Sequence, residues 1–292
     1  MGATAMDRFI EQGWNDHVND AAGVAARLAQ ARPLLDAEPE KAADFARLAE
    51  HVLLGHLGDA AAMAPWLERL APIAEQRAEL APTLERARAA CALLRGEAPA
   101  ADRITLPALI QAHGTAACGF AARGDAAQAR RLLQSAATLA GDAQGDALAT
   151  KALAASCNNL ASQLLDGARE PAADALMMET AALSRDTWAT VGSWLNAERA
   201  EYLLALCAAA IGDGAKAAAH AGACAAICEA NAADAFERFF AQEAMARAML
   251  AQADRAAAGT ALSCMRELIQ GIDDEANRAY AQDVLAKTAT AV

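Results

Sequence analysis

Apolar residues return every three or four positions along most of this chain. Met63, Trp66, Leu67 and Leu70 fall on one helix face, and the segment before them carries Leu48, Val52 and Leu53 in the same way. Near the C-terminus Ile272, Tyr280, Val284 and Leu285 lie beside Asp273, Asp274, Glu275, Arg278, Asp283 and Lys287, the pattern of an amphipathic closing helix. Short polar turns separate such segments. Gly124-Asp125, Asp166-Gly167, Gly212-Asp213 and Gln252-Ala253-Asp254, measured at residues 124, 167, 212 and 253, are spaced 43, 45 and 41 residues apart. Self-similarity at that period predicts stacked helical hairpins rather than one closed globule.

The pattern predicts helices near 5–14, 18–31, 40–56, 60–71, 74–80 and 83–95, and a linker at 96–104 that opens on Gly96-Glu97-Ala98-Pro99. Beyond it, helices are predicted near 105–122 and 125–140, 146–165 and 169–184, 187–211 and 215–230, and 233–251 and 254–270, with the closing helix at 273–288. Residues 105–292 thus read as four hairpins and a cap. Seven of the eight prolines lie in the first 107 residues, so residues 1–95 are expected as shorter helices, with Gly58-Asp59 marking a degenerate hairpin. Alanine is abundant and aromatic residues are few: two Tyr, four Trp and six Phe in 292 residues. Strands have little raw material, whereas alanine loses no side-chain entropy in a helix and lets helix axes approach closely. The fold class expected is all-α.

The formal charge of −12 and the lack of any basic run argue against nucleic acid as a partner, because neutralising phosphates supplies most of that affinity. No apolar stretch is long enough to span a bilayer, so no membrane insertion is expected and the chain reads as cytoplasmic. Seven cysteines, an odd number scattered through helical segments, suit a reducing compartment. Cys224 and Cys228 share a helix face, but no further Cys or His follows at finger-like spacing, and small buried packing residues are the plainer reading. His51 and His56, five residues apart, would sit about 140° apart around an α-helix and so would not form a paired metal-binding face. His113 before Cys118, and Ser156 beside Cys157, lack a third orienting group. Gly212-Asp213-Gly214 has no preceding strand to make it a nucleotide loop. No enzyme, metal or cofactor is expected from these residues.

Small residues flank the turns in a regular way: Ala117, Ala129 and Ala136; Ala161, Ala173 and Thr180; Ala205, Ala217 and Cys224; Ala246 and Ala258, with the larger Met265 at the third position of the last set. With the Gly-Asp turns, these resemble the tetratricopeptide repeat family, whose helices A and B cross closely through small side chains. The segment Cys157-Asn158-Asn159-Leu160-Ala161-Ser162-Gln163-Leu164-Leu165-Asp166-Gly167 resembles helix A of the wide-spaced repeats of kinesin light chains. The family's aromatic positions on helix A are mostly missing, Phe120 being the exception. The resemblance covers roughly residues 104–270.

It implies a right-handed superhelical solenoid whose A helices line a concave groove. Carried over position by position, the family's contacts fall on Gln111, Thr115, Asn158, Asn159, Ser162, Arg199, Tyr202, Glu243 and Arg247. An Asn amide both donates and accepts, so Asn158 and Asn159 suit the backbone of an extended peptide. Trp188, Trp194 and Tyr202, with Asn196 and Arg199, are expected on one long helix, either as a recognition patch or as packing; Trp14, Trp66, Phe239 and Phe240 are expected as packing. The function expected is a non-enzymatic scaffold for a protein or peptide partner, of the kind that wide-period bacterial members use in regulation. Two alternatives stay open: an all-α small-ligand sensor, and a self-assembling protein that forms a homo-oligomer.

Overall fold

The computed structural model describes residues 2–290, and among these it holds fifteen α-helices and no strand. They are α1 (Ala5–Asp16), α2 (Ala21–Gln30), α3 (Arg32–Ala37), α4 (Ala42–Ala49), α5 (Ala60–Gln76), α6 (Ala81–Leu94), α7 (Leu106–Ala122) and α8 (Ala126–Asp142). There follow α9 (Ala147–Asp166), α10 (Pro171–Val191), α11 (Trp194–Ala210), α12 (Gly214–Ala230), α13 (Ala235–Ala251), α14 (Arg255–Ile269) and α15 (Glu275–Ala289). Consecutive helices pack in pairs. The chain divides into two compact units, Met1–Gln163 and Leu164–Val292, and residues 96–104 lie within the first.

In the first unit the core is built from Leu28, Leu35, Phe45, Leu48, Leu54, Met63, Leu70 and Leu84, all fully buried. Two expectations are corrected here. The helices expected at 60–71 and 74–80 are one continuous α5, with Pro65 and Pro72 inside it. Each proline removes one ladder bond, and the buried face of Met63, Trp66 and Leu70 holds the helix together across the loss. The helix expected at 40–56 is α-helical only to Ala49; from Glu50 to His56 it is wound as a π-helix.

The turns carry the repeat. Gly58, Gly124, Gly212 and Ala253 all adopt left-handed φ, at +62°, +80°, +79° and +61°. The Asp that follows each one caps the next helix: Asp59, Asp125, Asp213 and Asp254 accept from the backbone N–H three residues on, at 2.8–3.1 Å. In three of these turns the Asp N–H also donates five residues back, to Phe120, Ala208 and Met249, each at 2.9 Å. At Asp59 the same bond reaches six residues back, to Leu53 at 2.7 Å, because the π-wound segment holds one residue more. Asp166-Gly167 departs from the pattern. Gly167 is not left-handed, and the Arg169 guanidinium closes the helix end instead by donating to the carbonyls of Leu164, Leu165 and Gly167.

In the second unit the long helix expected at 187–211 is corrected: α10 runs to Val191 and α11 begins at Trp194. Ser193 and Asn196 form a reciprocal capping box at this break, and Asn196 accepts from the Ser193 N–H at 2.9 Å. Of the residues that flank the turns, all but Met265 are small, and all are buried except Ala173, which is half-buried. Their size lets neighbouring helices cross closely.

Candidate functional site

Tyr202 on α11 and Glu243 and Arg247 on α13 converge in one network. The Tyr202 hydroxyl donates to Glu243 Oε2 at 2.7 Å, and Arg247 Nε donates to Glu243 Oε1 at 2.7 Å. Glu243 is only 2% exposed, so its carboxylate orients Tyr202 and Arg247 instead of meeting solvent. Burial, followed by the Glu243 charge, pushes the Tyr202 phenol well above its ordinary pKa, so it stays a hydrogen-bond donor. One turn earlier Arg199 pairs with Glu237 at 2.6 Å.

The other expected contacts lie in the first unit. Gln111 and Thr115 are half-buried on α7, and Gln111 Oε1 accepts from Arg86 at 3.4 Å. On α9, Asn159 is exposed while Asn158 and Ser162 are half-buried. Arg86 is engaged chiefly with Glu50, whose carboxylate it grips through Nε at 2.7 Å and through a second nitrogen at 2.5 Å. Burial raises the Glu50 pKa and the Arg86 charge opposes the rise.

Aromatic rings extend the network of the second unit. Tyr202 meets Phe240 edge-on at 5.7 Å between centroids, and Phe240 meets Tyr280 at 5.9 Å, so one ring each from α11, α13 and α15 forms a ladder. Phe236 and Phe239 flank Phe240 at 4.9 and 5.1 Å. Phe239 is buried as expected, but Phe240 is only half-buried, and Tyr280, assigned above to a cap, is 58% exposed. The single helix expected to carry Trp188, Trp194 and Tyr202 is corrected, since Trp188 lies on α10 across the break. The sequence signal for the ladder is its spacing: Tyr202 and Phe240, and Tyr202 and Glu243, stand about one repeat apart. A separate cleft of about 610 Å³ in this unit lies between α12, α13 and α14, with Glu229, Arg238, Gln242, Cys264 and Glu267 among its lining residues.

Among the described residues, two clusters have metal-ligand chemistry. The first joins Glu198, Cys224 and Cys228, all buried, with the Cys224 thiol donating to Glu198 Oε1 at 3.0 Å. Burial pushes the Glu198 carboxyl up to about 7 and the Cys228 thiol up to about 11, and raises Cys224 as well. Cys91 is pushed to about 11, and Cys118, Cys157 and Cys207 to about 12, for the same reason. These are protonated packing thiols rather than nucleophiles.

The second cluster overturns the expectation for His51 and His56. An α-helix would splay them, but i→i+5 winding stacks residues five apart, and Leu57 N–H donates to Val52 at 3.1 Å in that pattern. The two Nε2 atoms lie 3.1 Å apart, and His17, at the end of α1, brings a third ring: one nitrogen from each lies within 4.8 Å of the others. The Trp14 indole packs 5.4 Å from His17 and 5.0 Å from His51. One carbonyl within the π-wound turn and one just after it accept from side chains outside it. The Gln163 amide donates to Gly55 at 3.2 Å and Arg123 to Gly58 at 3.3 Å. Burial, then its histidine neighbours, lowers His51 to about 3, and burial lowers His56 too, so both rings are neutral near pH 7.

No protein-family model matches this chain, and no curated protein matches it.

Proposed function

We propose that this chain is a non-enzymatic binding module of helical hairpins, and that the face carrying Tyr202, Phe240 and Tyr280 receives an extended segment of a protein partner. The aromatic ladder across α11, α13 and α15 carries this reading, because rigid rings beside arginines are the side chains that supply most binding energy at protein interfaces. Arg199 and Arg247 flank the ladder, each already held by a carboxylate and each with much of its side chain in solvent. Their free donors suit the backbone carbonyls or an acidic side chain of the partner. The likeness to tetratricopeptide repeats supports the same assignment, through the recurrent left-handed turn and the buried small positions. No helix among the described residues is long and apolar enough to cross a membrane. The seven free cysteines suit a reducing, cytoplasmic setting.

Peptides selected from a displayed library against the full chain test the assignment. Tyr280→Ala and Arg199→Ala should each weaken a selected peptide by about tenfold or more. Unchanged affinity in both variants would contradict it. The 610 Å³ cleft favours a second reading, a small-ligand sensor, since its volume is that of a metabolite pocket. In that case metabolites would raise the melting temperature and Gln242→Ala would abolish the shift.

A further inference from the structure

We propose that His17, His51 and His56 form a metal site, taking a divalent cation of the zinc class through three imidazole nitrogens with a fourth position left to solvent. The geometry is close to what such an ion needs. Zinc–nitrogen bonds of about 2.0–2.1 Å in a tetrahedron place neighbouring nitrogens about 3.3 Å apart. His51 and His56 Nε2 already stand 3.1 Å apart, a few tenths of an ångström short of that separation. The third nitrogen lies within 4.8 Å of both, on a half-exposed residue at the end of a helix. Closing that gap needs only a small adjustment of His17.

The donors are prepared as well as placed. His17 Nδ1 lies 2.7 Å from the Trp14 carbonyl oxygen, which can only accept. In the neutral ring this contact leaves the Nε2 lone pair for a metal, and the carbonyl fixes the ring orientation, as partners of metal-bound histidines do. The two Nε2 atoms of His51 and His56 already face each other, so an ion seated between them replaces that contact. All three rings are half-buried, so the fourth position is reachable by water.

The chemistry selects the ion. Three neutral imidazoles suit zinc, cobalt, nickel and copper, whereas calcium and magnesium demand oxygen ligands. The chain's charge of −12 raises the local concentration of cations. The π-wound turn is the device that makes the site, because such turns put residues five apart on one face.

The test uses the full chain, freed of any affinity tag and stripped with a chelator, titrated first with Co²⁺ and then with Zn²⁺. One equivalent of Co²⁺ should give the intense visible absorption of a tetrahedral nitrogen site, which Zn²⁺ should abolish. Zn²⁺ should also raise the melting temperature. His17 ends a helix and is half-exposed, so His17→Gln should keep the helical circular dichroism yet lose more than about 100-fold in affinity, beyond the 10–100-fold that outer partners cost. His51→Gln and His56→Gln should lose the absorption, and His220→Gln should retain it. Three results would overturn the site: no tetrahedral absorption, absorption unchanged in His17→Gln, or thiolate charge-transfer bands that vanish in Cys224→Ser, which would place the ion at the cysteines.

Discussion

Glu50 and Arg86 show how one buried charge decides the stability of a region. Glu50, the first residue of the π-wound turn, is buried, and its carboxylate is held by two guanidinium nitrogens. Removing the partner alone leaves that charge unpaired, so Arg86→Met should cost about 3 kcal/mol or more in urea unfolding. Replacing both, as in Glu50→Leu/Arg86→Met, should restore much of the loss, since a packed apolar pair competes well with a buried ion pair. Glu198 makes the complementary point through pH. It faces the Cys224 and Cys228 thiols, with Glu237 and Arg199 nearby, and its folded pKa stands at about 7 against an ordinary 4.5. The folded state therefore holds the proton more tightly than the unfolded chain. Stability from this group is greatest below pH 4.5 and declines as pH rises through about 7, by an amount on the order of 2–3 kcal/mol. Glu198→Gln should flatten that decline when thermal unfolding is followed from pH 4 to pH 9, a span of about five units chosen to bracket both pKa values. A decline that persists in the variant would assign the titration elsewhere.

At the scale of elements, the turns are where sequence and conformation meet most directly. Ala253 holds a left-handed φ of +61° at the position where Gly58, Gly124 and Gly212 stand in the sister turns. Ala253→Gly should therefore raise stability by about 1 kcal/mol, the cost of αL for a residue with a Cβ. Gly119 behaves oppositely, since a Cβ there would lie 2.4 Å from the Leu54 carbonyl oxygen and 2.9 Å from Gly58 Cα. Gly119→Ala should cost about 1–3 kcal/mol, whereas Gly141→Ala, with open space around it, should cost nothing measurable. Most helices after residue 104 were legible because turn chemistry and helical period agree there. The break at Gly192-Ser193 was also written, in a Ser followed three residues later by Asn, but the apolar run on either side hid it. The π-wound turn was not legible. Gln163, which bonds Gly55 within it, and Arg123, which bonds Gly58 just beyond it, lie far along the chain, and no local spacing announces them. The histidine pair was misjudged for that reason alone.

The two proposed sites fall in separate units: the histidine cluster in Met1–Gln163, and the arginine and aromatic face in Leu164–Val292. Tyr202, Glu243 and Arg247 were singled out at repeat-related positions, and the structure joins them in one network in which Glu243 is buried. Phe240 and Tyr280 escaped because aromatic residues in helical hairpins usually fill cores. Amide exchange separates the two units. Zn²⁺ should slow exchange across Glu50–His56 and the end of α1 and leave α11–α15 unchanged, while a bound peptide should do the reverse. The most direct test of the binding assignment is a photo-crosslinking amino acid placed at position 280, with the same residue at the exposed Ile211 as control. Covalent capture of a selected peptide at 280 and not at 211 is the predicted result. Capture at 211 alone, or at neither position by a peptide that binds with full affinity, would contradict the account.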